Sequence, residues 1–591
     1  MKVFLVLVLV FVTSLVSAQN DELAKEYFSK GEFDKALVAY EELYKASPSN
    51  MMFLSRLVAC HQELQQYDKA ENLLSQRINQ KNNQPSLLVE LGYNFQLQGN
   101  KVKAEEYYQK AIDATVENVN YSSGVAYAFE QKTLLEKALQ VYELASQQSD
   151  RFNFDFQKAR IYGQLGDIEK MIDSYLNYAG SSPTSMIVVQ QHFTMFMNED
   201  EAFGFSDALR KALLTRAQKT QDVMWNEFLS WFFVQQKQYD RAFVQEKAIF
   251  RRFPNSFDGL MNLVDLTFEE ENYELTKEIL NFILENSQDA EIQVFGQTYL
   301  MEIRIKTAQP KDYPVIKAAL EKLLEDFGKN VYTVDLQILQ ARFMGFNLDN
   351  PKEAQQILNG ILKLPLNPFQ QAEIKMELAD MFLYEEKYNQ ALIYYSQIEN
   401  DLKNHEVGHQ ASLKVAKTSY YKGDFPWALK QLSVLKTSFS QLIANDALEL
   451  YLLINDNQSD SLYTSLNKFA RADFYLYKGK DQLALEQFEK ILQEHKGEDI
   501  EAVTHLRIGK ILERQKDYLK ALEHYDAIIT RFSDGIYLDE ALFFSAEIYN
   551  KYLGNPEKAK ELYEKVIFNH QDSIYFIEAR KQYRILRGDE V

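Results

Sequence analysis

The residues of this chain that most resemble a catalytic motif are His405, Glu406 and His409, which form a His-Glu-x-x-His pattern. On one helix, that spacing places two imidazoles on the same face, where they can bind zinc, with a glutamate beside the metal-bound water. The surroundings do not favour such a site, because the pattern falls in a linker and at the start of the next predicted helix, and Gly408 weakens helix continuity. A zinc protease also needs a third ligand, and Glu449 is only one of many nearby glutamates. We therefore interpret the two histidines as surface residues and expect neither a metal site nor an enzyme, with adventitious metal binding as the alternative.

Other residues with reactive side chains are few. The remaining histidines are scattered without metal-ligand spacing, at His61, His192, His495, His505, His524 and His570. The sequence contains no P-loop, dinucleotide fingerprint or nucleophile elbow. The single cysteine, Cys60, excludes an intramolecular disulfide and lies beside small residues of a predicted helix, where a buried thiol acts as a small hydrophobe. We expect no cofactor.

A period of 34 residues organises the N-terminal part of the chain. Alanine recurs at this interval, at Ala36, Ala70, Ala104 and Ala138. Around the third alanine, Leu88 and Phe95 share one face of a predicted helix, and a turn at Gly99 leads into the next helix. Gly92 and Ala104 lie where these two helices cross, so the absence of large side chains lets the backbones approach. One helix pair cannot bury its apolar stripe alone, and neighbouring pairs must stack.

This pattern resembles the tetratricopeptide repeat, a helix–turn–helix unit with small residues where its two helices meet. The pattern returns in the C-terminal half around Ala379, Ala416, Ala484, Ala521 and Ala559. The resemblance implies an all-α fold, a tetratricopeptide-type helical-repeat superhelix (an α-solenoid) of about fifteen helix pairs. The low content of 21 Gly and 11 Pro in 591 residues agrees, because a many-stranded protein needs more turn residues.

The repeat register divides the chain into four predicted segments. These are a signal peptide over residues 1–18, an N-terminal repeat array over 19–185, degenerate helical repeats over 186–364 and a C-terminal array over 365–591. The stretch between Ala428 and Ala484 is too long for one repeat, which predicts an additional helix around Leu442 to Asn455. A resemblance to long exported repeat proteins of the Bacteroidota cell envelope, which implies no activity, is carried by the run Ser440-Gln441-Leu442-Ile443-Ala444-Asn445-Asp446-Ala447-Leu448.

The N-terminus has the pattern of a secretory signal. Lys2 precedes an apolar run from Val3 to Val12, and Val16 and Ala18 suit cleavage before Gln19. The run is shorter than the roughly 20 residues that a membrane-spanning helix needs. We therefore expect cleavage near Ala18, a periplasmic or secreted protein and no membrane insertion after cleavage; an uncleaved anchor is the alternative.

The charge balance narrows the classes of partner. The chain has 65 Lys and Arg against 85 Asp and Glu, a net charge of −20. A surface of this sign repels nucleic-acid phosphates and anionic lipid headgroups. We expect no nucleic-acid partner, and basic partners or simple solubility fit the charge better.

The resemblance also indicates where a partner would bind. In a tetratricopeptide superhelix the first helix of each pair lines the concave face, and the register places there Tyr93, Tyr127, Phe156, Trp231, Tyr384, Tyr420, Tyr421, Tyr477 and Tyr552. Charged residues lie among them, namely Arg160, Glu227, Asp380, Lys417 and Asp473. Aromatics with polar tips suit peptide recognition, because they bury a large area at low entropy cost. The alternative is that several of these residues pack between repeats.

Two functions agree with these features. The first is a non-catalytic scaffold of the bacterial cell envelope that binds a protein or an extended peptide in its concave groove. The second is a carbohydrate-binding protein on a tetratricopeptide core, because aromatic faces stack on sugars. Receptors of that kind usually carry a lipidated cysteine and large insertions between repeats. This chain has neither, which favours the scaffold.

Overall fold

The computed structural model describes residues 21–80, 84–149, 151–199, 204–220, 222–436, 441–458 and 463–589. These residues fall into two compact units, divided between Pro254 and Asn255. All regular structure in the described ranges is helical, which confirms the predicted all-α class. The predicted signal peptide lies outside the described residues, and the predicted boundaries at 185 and 364 stay predictions.

The first unit is a succession of helices joined by short turns. Its helices are α1 (residues 21–29), α2 (Phe33–Ala46), α3 (Met51–Glu63), α4 (Tyr67–Ile78), α5 (Ser86–Leu97), α6 (Lys101–Glu117), α7 (Ser122–Gln131), α8 (Leu135–Gln148), α9 (Asp155–Gln164), α10 (Ile168–Ala179), α11 (Pro183–Glu199), α12 (Phe205–Lys219), α13 (Met224–Gln235) and α14 (Tyr239–Arg252). Consecutive helices pack against one another, as α5 and α6 do.

The second unit continues the same construction. Its helices are α15 (Asp258–Glu269), α16 (Tyr273–Asn286), α17 (Ala290–Lys306), α18 (Tyr313–Phe327), α19 (Val334–Arg342), α20 (Pro351–Ile361), α21 (Pro368–Tyr384), α22 (Tyr388–Asp401), α23 (Glu406–Lys422), α24 (Phe425–Leu435), α25 (Gln441–Asp456), α26 (Thr464–Tyr477), α27 (Asp481–Glu494), α28 (Ile500–Arg514), α29 (Tyr518–Arg531), α30 (Leu538–Lys551), α31 (Pro556–Asn569) and α32 (Phe576–Arg587). A π-helical segment, Phe343–Asn347, extends α19. Within the described ranges, no helix has the length and apolar character to cross a membrane.

The close helix crossing predicted at Gly92 and Ala104 is confirmed. A Cβ atom built on Gly92 would lie 3.1 Å from the carbonyl oxygen of Ala104. The turn between α5 and α6 places Gly99 at φ +77°, a left-handed conformation that glycine adopts without strain. Asn100 then caps α6 by accepting a hydrogen bond from the backbone N–H of Lys103 at 3.1 Å. Small residues and turn chemistry together fix the antiparallel pair.

The regular order of helices is interrupted in the second unit at α25, the additional helix that the sequence predicts. Helix α25 packs against α24 and α23, as the first helix of a following pair would. Helix α26 also packs against α23, and Phe474 of α26 joins the core formed by α21, α22 and α23. Two successive helices therefore contact α23. We call this interruption the junction.

The single cysteine lies in a core. Cys60 is fully buried within the cluster formed by α1, α2 and α3, as the sequence predicts. Burial raises the pKa of its thiol to about 11. A thiol with so high a pKa stays protonated near neutral pH and behaves as an apolar packing group.

Candidate functional site

A cleft of about 960 Å³ opens at the junction. Its walls come from α23, α25, α26, α28, α29 and α30, and from the turns that follow α15, α28 and α30. We call it the junction cleft. It combines aromatic side chains, Tyr420, Tyr421, Tyr477, Tyr518, Phe544 and Tyr552, with charged side chains of both signs.

One wall of the junction cleft is held by a charge network around Arg507 of α28. The guanidinium of Arg507 donates to Glu449 of α25 at 3.1 Å and forms an ion pair with Asp473 of α26 at 3.4 Å. The hydroxyl of Tyr420 on α23 donates to the other oxygen of Asp473 at 3.0 Å. Burial raises the pKa of the Asp473 carboxyl, and Arg507 opposes that shift. The network therefore joins four helices, α23, α25, α26 and α28, of which only α25 and α26 are consecutive in sequence.

A second network surrounds Asp380 of α21. Its carboxylate accepts hydrogen bonds from the hydroxyl of Tyr395 at 2.5 Å and from the hydroxyl of Tyr477 at 3.1 Å. It also pairs with the ammonium of Lys414 at 2.5 Å. Tyr477 belongs to α26, so this buried carboxylate fixes α26 against α21. The ring of Tyr477 lies 5.7 Å from that of Tyr421, which places both predicted residues in one aromatic cluster.

The structure brings four of the predicted binding residues together in the junction cleft: Tyr420, Tyr421, Tyr477 and Tyr552. They differ in accessibility. Tyr420 is only 1% exposed and belongs to the core, whereas Tyr552 is 52% exposed and stacks on Tyr518 at 4.2 Å between ring centroids. Tyr384 is 4% exposed and donates to Asp349 at 2.6 Å. Tyr384 and Tyr420 are therefore packing residues, which was the alternative to a binding role. Tyr552, in contrast, is open to a partner.

The other four predicted residues lie in the first unit. Tyr93 lies under the ammonium of Lys132 at 4.7 Å, Phe156 contacts the ring of Tyr175, and Trp231 contacts the ring of Phe228. Tyr127 is 60% exposed. Three of the four rings are thus occupied by contacts within their own unit. Their role in binding stays a prediction.

Several cleft residues were not predicted as binding residues. Arg507, Lys510 and Lys516 line the cleft and come from α28 and the turn that follows it. Tyr518, the first residue of α29, lines the cleft as well. The feature of the sequence that indicates this site is the excess length between Ala428 and Ala484. It indicates where the junction forms but not which side chains meet there.

The His-Glu-x-x-His pattern lies away from these networks. His405 precedes α23 as its N-cap and accepts a weak hydrogen bond from the backbone N–H of Val407 at 3.3 Å, while His409 lies inside the helix. The ring of Phe369 lies 4.7 Å from that of His405. Glu449, the nearest candidate for a third ligand, pairs with Arg507 instead. In the described part of the chain, no group of three His, Cys, Asp or Glu side chains is arranged to hold a metal ion.

Comparisons with known proteins agree with the helical-repeat architecture. Residues 27–88 and residues 539–567 each match the family described as tetratricopeptide repeat. No curated protein matches the chain in sequence. Among the solved structures that match this chain, three cover nearly its whole length.

The first of these structures is the APC/C hetero-tetramer Cut9–Hcn1, with 12% identity, coverage of 97% of this chain and 98% of the other, and a TM-score of 0.27. The second is Naa15/Naa10 bound to HypK-THB, with 12% identity, coverage of 97% and 94%, and a TM-score of 0.26. The third is yeast Tom70, with 14% identity, coverage of 96% and 99%, and a TM-score of 0.27. Similarity at these TM-scores gives no information on partners or sites. The two family matches and the helix pairs of both units show that this chain is a helical-repeat protein with tetratricopeptide repeats near both ends of its sequence.

Proposed function

We propose that this protein is a non-catalytic scaffold that binds a protein or an extended peptide, and that the junction cleft is its binding surface. The observation that carries the proposal is the composition of the cleft wall. It contains five acidic and five basic residues beside the tyrosines. A polypeptide offers amides and side chains of both charges, and tyrosines bury area while their hydroxyls stay hydrogen-bonded.

The wall of the junction cleft is already ordered. The Arg507 and Asp380 networks hold α21, α23, α25, α26 and α28 in fixed positions. A preformed surface loses little conformational entropy when a partner binds, so more of the contact energy appears as affinity. The ion pair between Lys417 and Asp446 at 3.1 Å is partly exposed at the cleft. Each of its two side chains can instead pair with an oppositely charged group of a partner.

The proposed location is the bacterial cell envelope, reached by export and signal cleavage near Ala18. Support comes from the N-terminal apolar run and from the resemblance carried by residues 440–448. The net charge of −20 favours a partner with basic segments.

The binding proposal is tested by capture from cell-envelope extracts with two matched tyrosine variants. Tyr552→Ala removes an exposed ring from the junction cleft, and Tyr127→Ala removes an exposed ring that lies outside it. We expect Tyr552→Ala to weaken capture about 10-fold, the effect of losing one aromatic anchor, while Tyr127→Ala captures like the parent. Thermal unfolding should be unchanged in both variants, because both rings are largely exposed.

The same experiment locates the site and separates the two classes of ligand. Equal capture by Tyr552→Ala and the parent would place the binding surface away from the junction cleft. Digesting the extract with protease before capture should abolish the signal if the partner is a polypeptide. A signal that survives digestion and is competed by free oligosaccharide would support the carbohydrate alternative instead.

A further inference from the structure

The turns between paired helices share one backbone feature. In each three-residue turn, the middle residue has a left-handed conformation, as at Gly99 and Gly479 with φ +77° and +68°. In some turns this residue is charged instead, although a side chain is strained in this conformation. Asp349, with φ +53°, and Glu386, with φ +63°, are two examples.

These two charged turn residues connect turns of different helix pairs. Asp349 pairs with Lys480 at 3.3 Å, and Glu386 pairs with Lys478 at 2.9 Å and with Arg471 at 2.9 Å. Lys478 and Lys480 belong to the turn between α26 and α27, which is far along the chain. Charged residues at this turn position therefore make the ionic contacts that hold separate turns of the second unit together.

Glu271 and Lys516 occupy the same turn position with opposite charges. Glu271 lies in the turn between α15 and α16 with φ +55°, and Lys516 lies in the turn between α28 and α29 with φ +63°. Both side chains are exposed and line the junction cleft. Neither makes a side-chain hydrogen bond or ion pair with another described residue. They are thus two turn charges of opposite sign that line the same cleft.

We propose that the α15–α16 turn and the α28–α29 turn form an electrostatic latch that closes the junction cleft through an ion pair between the Glu271 carboxylate and the Lys516 ammonium. Arg514 pairs with Asp481 at 3.4 Å and Asp517 pairs with Lys520 at 2.6 Å, so the attraction rests on Glu271 and Lys516 themselves. Opposite charges that line one cleft attract each other while the screening length is about 10 Å or more, as at about 0.1 M salt or below. Closure covers the cleft, and high salt or a charged partner opens it.

The latch does not depend on the proposed function, because it is measured without any ligand. Spin labels on Glu274→Cys and Leu519→Cys report the distance between the two turns by double electron–electron resonance. Leu519 is 68% exposed, the Glu274 side chain is 88% exposed, and the native Cys60 is fully buried and is not labelled. We expect a short-distance population at about 0.01 M salt that falls about two- to five-fold at about 1 M salt.

Charge variants in this labelled protein identify the pair. Lys516→Glu should remove the short-distance population at low salt, and Glu271→Lys combined with Lys516→Glu should restore it. Lys520→Glu is the matched control, because it changes the net charge equally but Lys520 pairs locally with Asp517 at 2.6 Å. It should leave the distances of the parent unchanged. A distance distribution that does not respond to salt, or an equal response to Lys516→Glu and Lys520→Glu, overturns the latch.

Discussion

Gly92 and Tyr108 are in direct contact across α5 and α6. A Cβ atom on Gly92 would lie 2.6 Å from two ring carbons of Tyr108, closer than any real Cβ contact. The ring cannot easily move, because it is buried and its hydroxyl donates to Gln96 at 2.9 Å. The same arrangement recurs between Gly509 and Tyr525 in the second unit. Because glycine has no side chain, it leaves room on one helix for the buried tyrosine ring of the next helix.

This contact predicts that Gly92→Ala destabilises the first unit. Overpacking a close helix crossing should lower the free energy of unfolding by about 1–3 kcal/mol. Gly124→Ala is the matched control, since a Cβ on Gly124 meets no atom within 4 Å. It should stabilise the helix by up to about 1 kcal/mol. Urea denaturation of both variants measures the difference, and equal stabilities would show that Tyr108 can move aside.

The contacts of the buried Asp380 carboxylate predict that Asp380→Ala strongly destabilises the second unit. The change leaves the Lys414 ammonium without its ionic partner and the Tyr395 hydroxyl without its acceptor, while the Tyr477 hydroxyl keeps only its 3.3 Å contact with the backbone oxygen of residue 380. These losses should lower the free energy of unfolding by about 2–3 kcal/mol. Amide hydrogen exchange should rise in α26, because Tyr477 fixes that helix to Asp380. Asp401→Ala is the control, as its 68% exposed side chain lies 3.8 Å from Lys375. Unchanged exchange in α26 after Asp380→Ala would contradict the assigned role.

The pair of His505 and His524 predicts a dependence of stability on pH. Their Nδ1 atoms lie 3.0 Å apart, so one neutral ring donates to the other. Burial lowers the pKa of both rings, and it lowers that of His524 to about 4, with a smaller contribution from His505. An unfolded histidine has a pKa of about 6.5, so the unfolded chain binds these protons first as the pH falls. The contribution of this pair to the free energy of unfolding is thus fully present above about pH 6.5 and is lost progressively as the pH falls to about 4.

We expect that loss to reach about 2 kcal/mol after allowance for solvent screening. Glu501 and Arg531 are the other charged groups that face the pair. Urea denaturation at about pH 7 and about pH 5 gives the change in the free energy of unfolding, and His524→Asn should reduce that change. A variant with the full pH dependence of the parent would assign the effect to other groups.

The N-terminal sequence predicts that the mature chain begins near Gln19. Sequencing the N-terminus of the protein from a periplasmic fraction tests this expectation. Recovery of an intact Met1 in the membrane pellet would instead support an uncleaved anchor.

The isolated His-Glu-x-x-His pattern predicts no effect of a double His405→Ala and His409→Ala change on partner capture. The loss of the His405 cap should lower stability by about 0.5–1 kcal/mol at most, because the hydrogen bond to Val407 is long. Zinc content of the purified protein, measured by mass spectrometry, should be the same in parent and variant. Zinc in equimolar amount that disappears with the two histidines, together with a zinc-dependent hydrolysis, would revive the enzyme hypothesis.

The spacing of residues along the chain sets the repeating unit. The spacing of Ala36, Ala70, Ala104 and Ala138 predicts the helix pairs, and Gly92 predicts the close crossing that the structure contains. The excess length after Ala428 predicts α25. These features could be predicted because each depends on contacts within a repeat or between adjacent helices, where the distance along the chain is short and the side-chain period is fixed.

Which side chains meet at the junction depends instead on packing between helices that are distant in sequence. Tyr477 reaches Asp380 over 97 residues, and Lys480 reaches Asp349 over 131 residues. Such contacts depend on how α26 packs against α23 after the regular order is interrupted, and small changes of crossing angle accumulate over several helix pairs. The same packing turns Tyr420 inward and leaves Tyr552 exposed, although both occupy predicted binding positions. Local spacing fixes the face of a helix, whereas the neighbour that covers that face is set by the angles at which the helices stack.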